Sequence, residues 1–246
     1  KALKFVNKSN RAVVLNNYAY NLSVQERQLD KAERMALEAL NLSQEENYIL
    51  HTVGYIYYKK ADYENAQSYF KKSIEKGLKS GNIYNQLIES SINIKISNWQ
   101  QKGKYESTQN YRKRVTEEKR TKLIQQYTTN LVDSLGQAKF DADIATTDYD
   151  ADNQVFKVTF ANESSIYVNV PVSEAPTFDQ NLSRLRFSDM EFTLTSGGKL
   201  VLRKARIYNP ANDQTYAYDS GREVAFNTAE LAANFDPIDV EVQTED

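Results

Sequence analysis

The side chain with the widest chemical repertoire in this sequence is its single histidine, His51, set among tyrosines in YILHTVGYIYYKKADYENAQSYFKKSI, residues 48–74. An imidazole titrates near neutrality and can serve as a general base or a metal ligand. Both roles need partners. The chain has no cysteine and no second histidine, which excludes disulfides, thiolate zinc sites, cysteine nucleophiles and multi-histidine metal sites. His51 is therefore expected as a groove-wall or half-buried structural residue. In DYDADN (148–153), Asp148, Asp150 and Asp152 alternate like the first ligands of a calcium loop. Asn153 stands where that loop needs glycine and Thr159 where it needs a bidentate glutamate, so an acidic turn is expected. Glu163, Glu174, Asp179, Asp189 and Glu191 supply carboxylates, but no spacing pairs two of them as acid and base. SGGK (196–199) is too short for a phosphate loop and reads as a hairpin turn. No catalytic residue, metal or cofactor is expected, and the chain reads as a non-enzyme.

What would position such residues differs between the two halves. Residues 1–138 hold 22 Lys+Arg against 14 Asp+Glu, whereas 139–246 hold 9 against 19. All four prolines, Pro171, Pro176, Pro210 and Pro237, lie in the second half. A proline-free basic half followed by a proline-punctuated acidic one indicates a helical domain joined to a β domain, with the boundary near residue 140. No apolar run approaches the roughly 18 to 20 residues a membrane helix requires.

In the first half a pattern recurs. Leu50, Val53, Gly54 and Tyr57 follow helical spacing, then Asp62 and Tyr63 open a second periodic run through Ala66, Phe70, Ser73 and Ile74. Upstream, Leu15, Tyr18, Ala19 and Leu22 precede Ala32, Ala36, Ala39 and Leu40 in the same plan. The step is 34 residues from Ala32 to Ala66 and from Ala39 to Ser73, and 35 from Ala19 to Gly54. These residues resemble tetratricopeptide repeats: Gly54, Tyr57, Ala66 and Phe70 fall where that family packs its two helices, with Ala19, Leu22, Ala32 and Ala39 matching in the earlier copy. Leu50 stands at the family's tryptophan, and neither unit ends in its proline. The resemblance is specific for 11–78 and weaker to 118.

The expected architecture is α+β with two domains. Residues 1–140 form a TPR-like helical repeat superhelix, comprising a partial repeat 1–10, repeats 11–44 and 45–80, and a degenerate repeat with capping helix 81–138 that runs to about Leu135. KALKFVNKSN is expected as the tail of a preceding repeat, with further sequence upstream. Residues 141–246 form an antiparallel β-sandwich or open barrel of five to seven strands. QVFKVTF, SIYVNVPV and MEFTLT alternate with period two, placing Phe156, Val158 and Phe160, then Ile166, Val168 and Val170, then Met190, Phe192 and Leu194 on single faces. LVLRKARIY and TYAYD follow as strands, and NFDPIDVEVQTED is expected to add a last one.

The resemblance implies a concave groove, lined by the first helix of each pair, that binds an extended or helical polypeptide. The residues expected on it are Asn16, Tyr20, Tyr48, His51, Tyr55, Tyr58 and Lys59, with Ser23 and Tyr84 as additions; tyrosines and amides suit an adaptable recognition surface. The basic run 110–122, with Arg112, Lys113, Arg114, Lys119, Arg120 and Lys122, is expected as a solvated helix face, since it lacks the charge and interleaved aromatics of a nucleic-acid surface. The reading is thus a scaffold or protein-interaction protein. The alternatives are a carbohydrate- or surface-binding β domain with the repeats as spacer, and a hydrolase using carboxylates of the β half. Cysteine-free, tyrosine- and asparagine-rich composition points toward an exported or periplasmic bacterial protein, with a cytoplasmic one as the alternative.

Overall fold

A computed structural model describes residues 8–43, 46–78, 82–222, 228–233, 235 and 238. It has an α+β, two-domain layout. Helices α1 (Lys8–Val24), α2 (Leu29–Ser43), α3 (Asn47–Lys59), α4 (Tyr63–Glu75), α5 (Asn82–Gln100), α6 (Thr108–Arg114) and α7 (Glu117–Lys139) come first. Strands β1 (Ile144–Asp150), β2 (Val155–Phe160) and β3 (Ser165–Asn169) follow. Then come the short helix α8 (Ala175–Asp179), β4 (Arg186–Leu194), β5 (Leu200–Asn209), β6 (Gln214–Asp219) and α9 (Thr228–Ala233).

α1 pairs with α2 and α3 with α4, while α2 packs on α3 and α4 on α5. Small residues permit this. Ala19, Leu22, Ala32, Ala36, Val53 and Ile56 form one buried cluster, and Ala12, Leu15, Ala39 and Ile49 another. At Gly54 an added Cβ would lie 2.8 Å from Phe70 Cδ1 and 3.2 Å from Tyr69 Cβ, so glycine lets α3 and α4 approach. The turn between them is set by Ala61 at φ 57° and by Asp62, whose side chain accepts the Asn65 N–H at 3.2 Å as an N-cap.

The expected single capping helix is instead two. α6 ends at Val115, whose backbone is extended, and α7 restarts behind Thr116, whose hydroxyl accepts the Lys119 N–H at 3.3 Å. A β-branched pair at this position favours the break, because the threonine side chain offers the backbone a cap in place of a helical bond. Lys8–Asn10, expected in the tail of a preceding repeat, form the first residues of α1, and residues 1–7 lie outside the described residues.

The molecule divides into two compact units, residues 1–128 with 228–246, and residues 129–227, so the division falls within α7. In the second unit the strands form two three-stranded antiparallel sheets, ordered β1-β2-β3 and β4-β5-β6, with β3 beside β6. Phe156, Val158 and Phe160 are buried, as are Ile166, Val168 and Val170, following the period-two pattern. Phe192 and Leu194 are buried but Met190 is only half-buried. Asp189 takes φ 48° and the register shifts between Ser188 and Phe192, so a bulge interrupts the alternation. The end of α7 packs within this unit: Gly136 lies so close to the Phe192 ring that a Cβ there would meet Cγ at 2.1 Å. Phe140 stands edge-on to Phe160, Phe187 and Phe192, with ring centroids 5.3 to 5.9 Å apart.

β1, α8, α9 and the α6/α7 break went unread in the sequence. β1 is largely exposed and carries no apolar alternation. The last strand expected in NFDPIDVEVQTED falls outside the described residues apart from Phe235 and Ile238.

Candidate interaction surface

α3 has α1 on one side and α5 on the other, so the polar faces of three first helices adjoin. Along this seam the aromatic rings contact one another. Tyr20 of α1 lies 5.8 Å from Tyr55 of α3, Tyr55 is 6.2 Å from Tyr58 and 6.3 Å from His51, and Tyr58 is 6.1 Å from Tyr63 of α4. His51 also tilts against Phe70 at 5.8 Å.

Hydrogen bonds cross the same seam. His51 donates from Nε2 to Oε1 of Gln86 on α5 at 2.8 Å, and the Tyr58 hydroxyl donates to the Glu89 carboxylate. Lys59 binds Glu26 at 2.6 Å and stands 5.6 Å over the Tyr55 ring. Burial holds the His51 imidazole below its ordinary pKa, against the opposing effect of the Gln86 bond. Burial and then the Glu89 carboxylate push the Tyr58 phenol up. Behind the seam, burial and the Glu33 carboxylate raise Tyr57 to about 12, with the hydroxyl 3.0 Å from Glu33. Every one of these shifts favours the neutral form of the ring, so the rings of the seam are uncharged, with charge at its edges in the Glu89 carboxylate and the Lys59–Glu26 pair.

Of the residues expected on the surface, the structure joins Tyr20, His51, Tyr55, Tyr58 and Lys59. Tyr20 is 41% and Tyr48 37% exposed, while His51, Tyr55, Tyr58 and Lys59 are half-buried. Asn16 is buried, at 4% exposure, and its side-chain carbonyl oxygen has no partner among the described residues. Ser23 and Tyr84 are also buried, so neither presents its side chain; the Ser23 hydroxyl donates instead to the Tyr20 carbonyl at 2.7 Å. In place of Tyr84, α5 contributes Gln86 and Glu89. Glu89 lies 34 residues after Tyr55, so the repeat register itself points to it.

The basic run divides: Lys113, Lys119 and Lys122 are exposed, Arg112 and Arg114 half-buried, and Arg120 buried. Arg114 donates to the Trp99 and Gln101 carbonyls and pairs with Glu106, Arg120 pairs with Glu117 at 2.6 Å, and Lys122 with Glu118 at 2.6 Å. Arg120 is buried, at 3% exposure, which departs from a solvated face. At DYDADN the Asp150 carboxylate accepts the backbone N–H groups of Asp152 and Asn153, both at 3.0 Å, and so closes the β1–β2 turn. Among the described residues no group of three or more histidine or acidic side chains is placed to hold a metal ion. Likewise, no described helix is long and apolar enough to cross a membrane.

Fold and site together define an α+β protein of stacked helical hairpins and two small antiparallel sheets, with an aromatic, largely neutral seam across three helices. No family model, no curated protein and no solved structure matches the chain.

Proposed function

We propose that this is a non-enzymatic interaction protein of tetratricopeptide-repeat type, which binds a polypeptide segment across the first helices of its repeats. The carrying observation is the seam from Tyr20 through Tyr55 to Tyr58, in which Tyr20 is 41% exposed, together with Tyr48, 37% exposed on the same helix as Tyr55 and Tyr58. Fixed aromatic rings offer contact area at small entropic cost, and the hydroxyls and amides around them adapt to a backbone's donors and acceptors. His51, Tyr58 and Lys59 are committed to Gln86, Glu89 and Glu26, so they stiffen the surface, while Tyr20 and Tyr48 make the contact. A stiff surface loses less entropy on binding.

The test is a pull-down from the native organism's lysate with the intact chain and with a Tyr20→Ala/Tyr48→Ala variant of unchanged circular dichroism. A partner captured by the first and lost by the second supports the reading. The same partners captured by both sink it and turn attention to the β domain.

A further inference from the structure

With β3 beside β6, the sheets of the second unit end on β1 and on β4, and the two edges differ. At β4 the Phe192 N–H donates to the Asp133 carboxylate of α7 at 2.7 Å, and Gly136 of α7 lies against the Phe192 ring, so that edge is covered. At β1 it is open. The Phe160 N–H donates to the Ser164 carbonyl and the Val170 N–H to the Gln154 carbonyl, both at 2.9 Å, so even-numbered residues of β2 bond toward β3 and odd-numbered ones toward β1. The Ala161 N–H, donating to the Asp143 carbonyl at 2.8 Å, keeps that alternation. Val155, Lys157 and Thr159 stand opposite Asp150, Asp148 and Thr146, which leaves the main-chain groups of Thr147 and Tyr149 turned away from the sheet. Among the described residues nothing bonds to those groups. The side chains of the same two residues are held: the Thr147 hydroxyl donates to Asp179 at 2.8 Å, and the Tyr149 hydroxyl to the Val170 carbonyl at 2.8 Å. The edge is thus stiff as well as open.

Charge selects what fits it. Residues 141–152 hold five aspartates and no lysine or arginine. None of these carboxylates pairs with a cation among the described residues, not even with Lys157, which stands opposite Asp148 on β2. Asp148 and Asp150 are exposed and, two residues apart, share one face of the strand. A second copy of β1 would set these carboxylates against their own kind, and like charges opposite one another repel. We infer that β1 is a strand-addition site for an extended segment of a partner polypeptide bearing lysine or arginine at alternate positions. Its main chain continues the ladder at Thr147 and Tyr149, and its cations face Asp148 and Asp150. The inference stands on the β domain alone and holds whether or not the tyrosine seam binds a ligand.

The probe is a synthetic capped peptide alternating lysine and threonine, about as long as β1. One control carries glutamate for lysine. A second keeps the lysines and carries proline for threonine, which preserves charge but removes the donors that would meet Thr147 and Tyr149. Binding to the intact chain is followed by fluorescence anisotropy, and amide hydrogen exchange is read by NMR. The lysine–threonine peptide is expected to bind, and both controls to bind about tenfold or more weaker. The Thr147 and Tyr149 amides are expected to exchange fast in the free chain and about tenfold or more slower with the peptide bound. Asp148→Asn, folded by circular dichroism, is expected to weaken binding about threefold or more. Equal binding of the proline peptide, no binding of the lysine–threonine peptide at millimolar concentration, or unchanged exchange at Thr147 and Tyr149 overturns the inference. Protection confined to α1 and α3 also overturns it, since the peptide then lies on the tyrosine seam.

Discussion

His51 donates from Nε2 to Oε1 of Gln86 at 2.8 Å, joining α3 to α5 through a neutral imidazole. The folded protein therefore resists protonation of this ring. Its folded pKa is lowered, chiefly by burial, so the unfolded chain binds the proton first, near the ordinary value of about 6.5. Stability is complete above that pH and falls as pH drops from about 6.5 through the folded value. Melting temperature measured between pH 7.5 and 5 is expected to decline less in His51→Gln than in the wild type. Parallel curves would refute the assignment.

The Glu106 carboxylate behaves in the opposite range. Its bond to Arg114, with a further one from the Gly103 N–H at 3.1 Å, lowers its pKa to about 2. Its folded value is depressed, so its contribution is present above about 4.5 and disappears as pH falls toward 2. Arg114→Gln is expected to flatten that acid limb and to speed proteolysis of the α5–α6 loop, because the Trp99 and Gln101 carbonyls lose their donor.

Two glycines test close packing in the two units separately. Gly54→Ala forces a Cβ against Phe70, and Gly136→Ala forces one against Phe192. Each is expected to lower unfolding free energy by about 1 to 3 kcal/mol in urea titrations, the usual cost of overpacking. Gly77→Ala, with open space around its Cβ position but φ 92°, is the backbone-strain control.

Tyrosines of the seam should separate by exposure. Tyr48→Ala is expected to change stability by under about 0.5 kcal/mol, as exposed substitutions do, and Tyr20→Ala by about 0.5 to 1 kcal/mol, because it removes the ring contact with Tyr55. Tyr55→Ala removes ring contacts with Tyr20, His51 and Tyr58, and is expected to cost more than either. Tyr58→Phe deletes the bond to Glu89 and is expected to cost about 1 kcal/mol. Denaturant titration of the four variants distinguishes these values.

Local pattern carried most of the fold. The helical period and the 34-residue step of Ala32 to Ala66 mark two hairpins, because small residues must recur wherever backbones approach. Alternation in QVFKVTF and SIYVNVPV marks β2 and β3, since each buries one face. β1 escaped because its exposed residues leave no alternation, and the bulge at Asp189 escaped because its shift is set by pairing with β5.

By itself, then, the sequence determined the helical hairpins, the change to β structure and the tyrosine-bearing face of α3, all of which follow from short-range periodicity and side-chain size. Tertiary structure alone decided which groups on that face remain available. Gln86 and Glu89 arrive from α5 to engage His51 and Tyr58, Glu26 arrives from the α1–α2 turn to engage Lys59, and Asn16 is buried while Tyr20, one helical turn on, is exposed. Those pairings join residues about 30 positions apart, and their partners are chosen by how the helices stack rather than by any signal within a single helix.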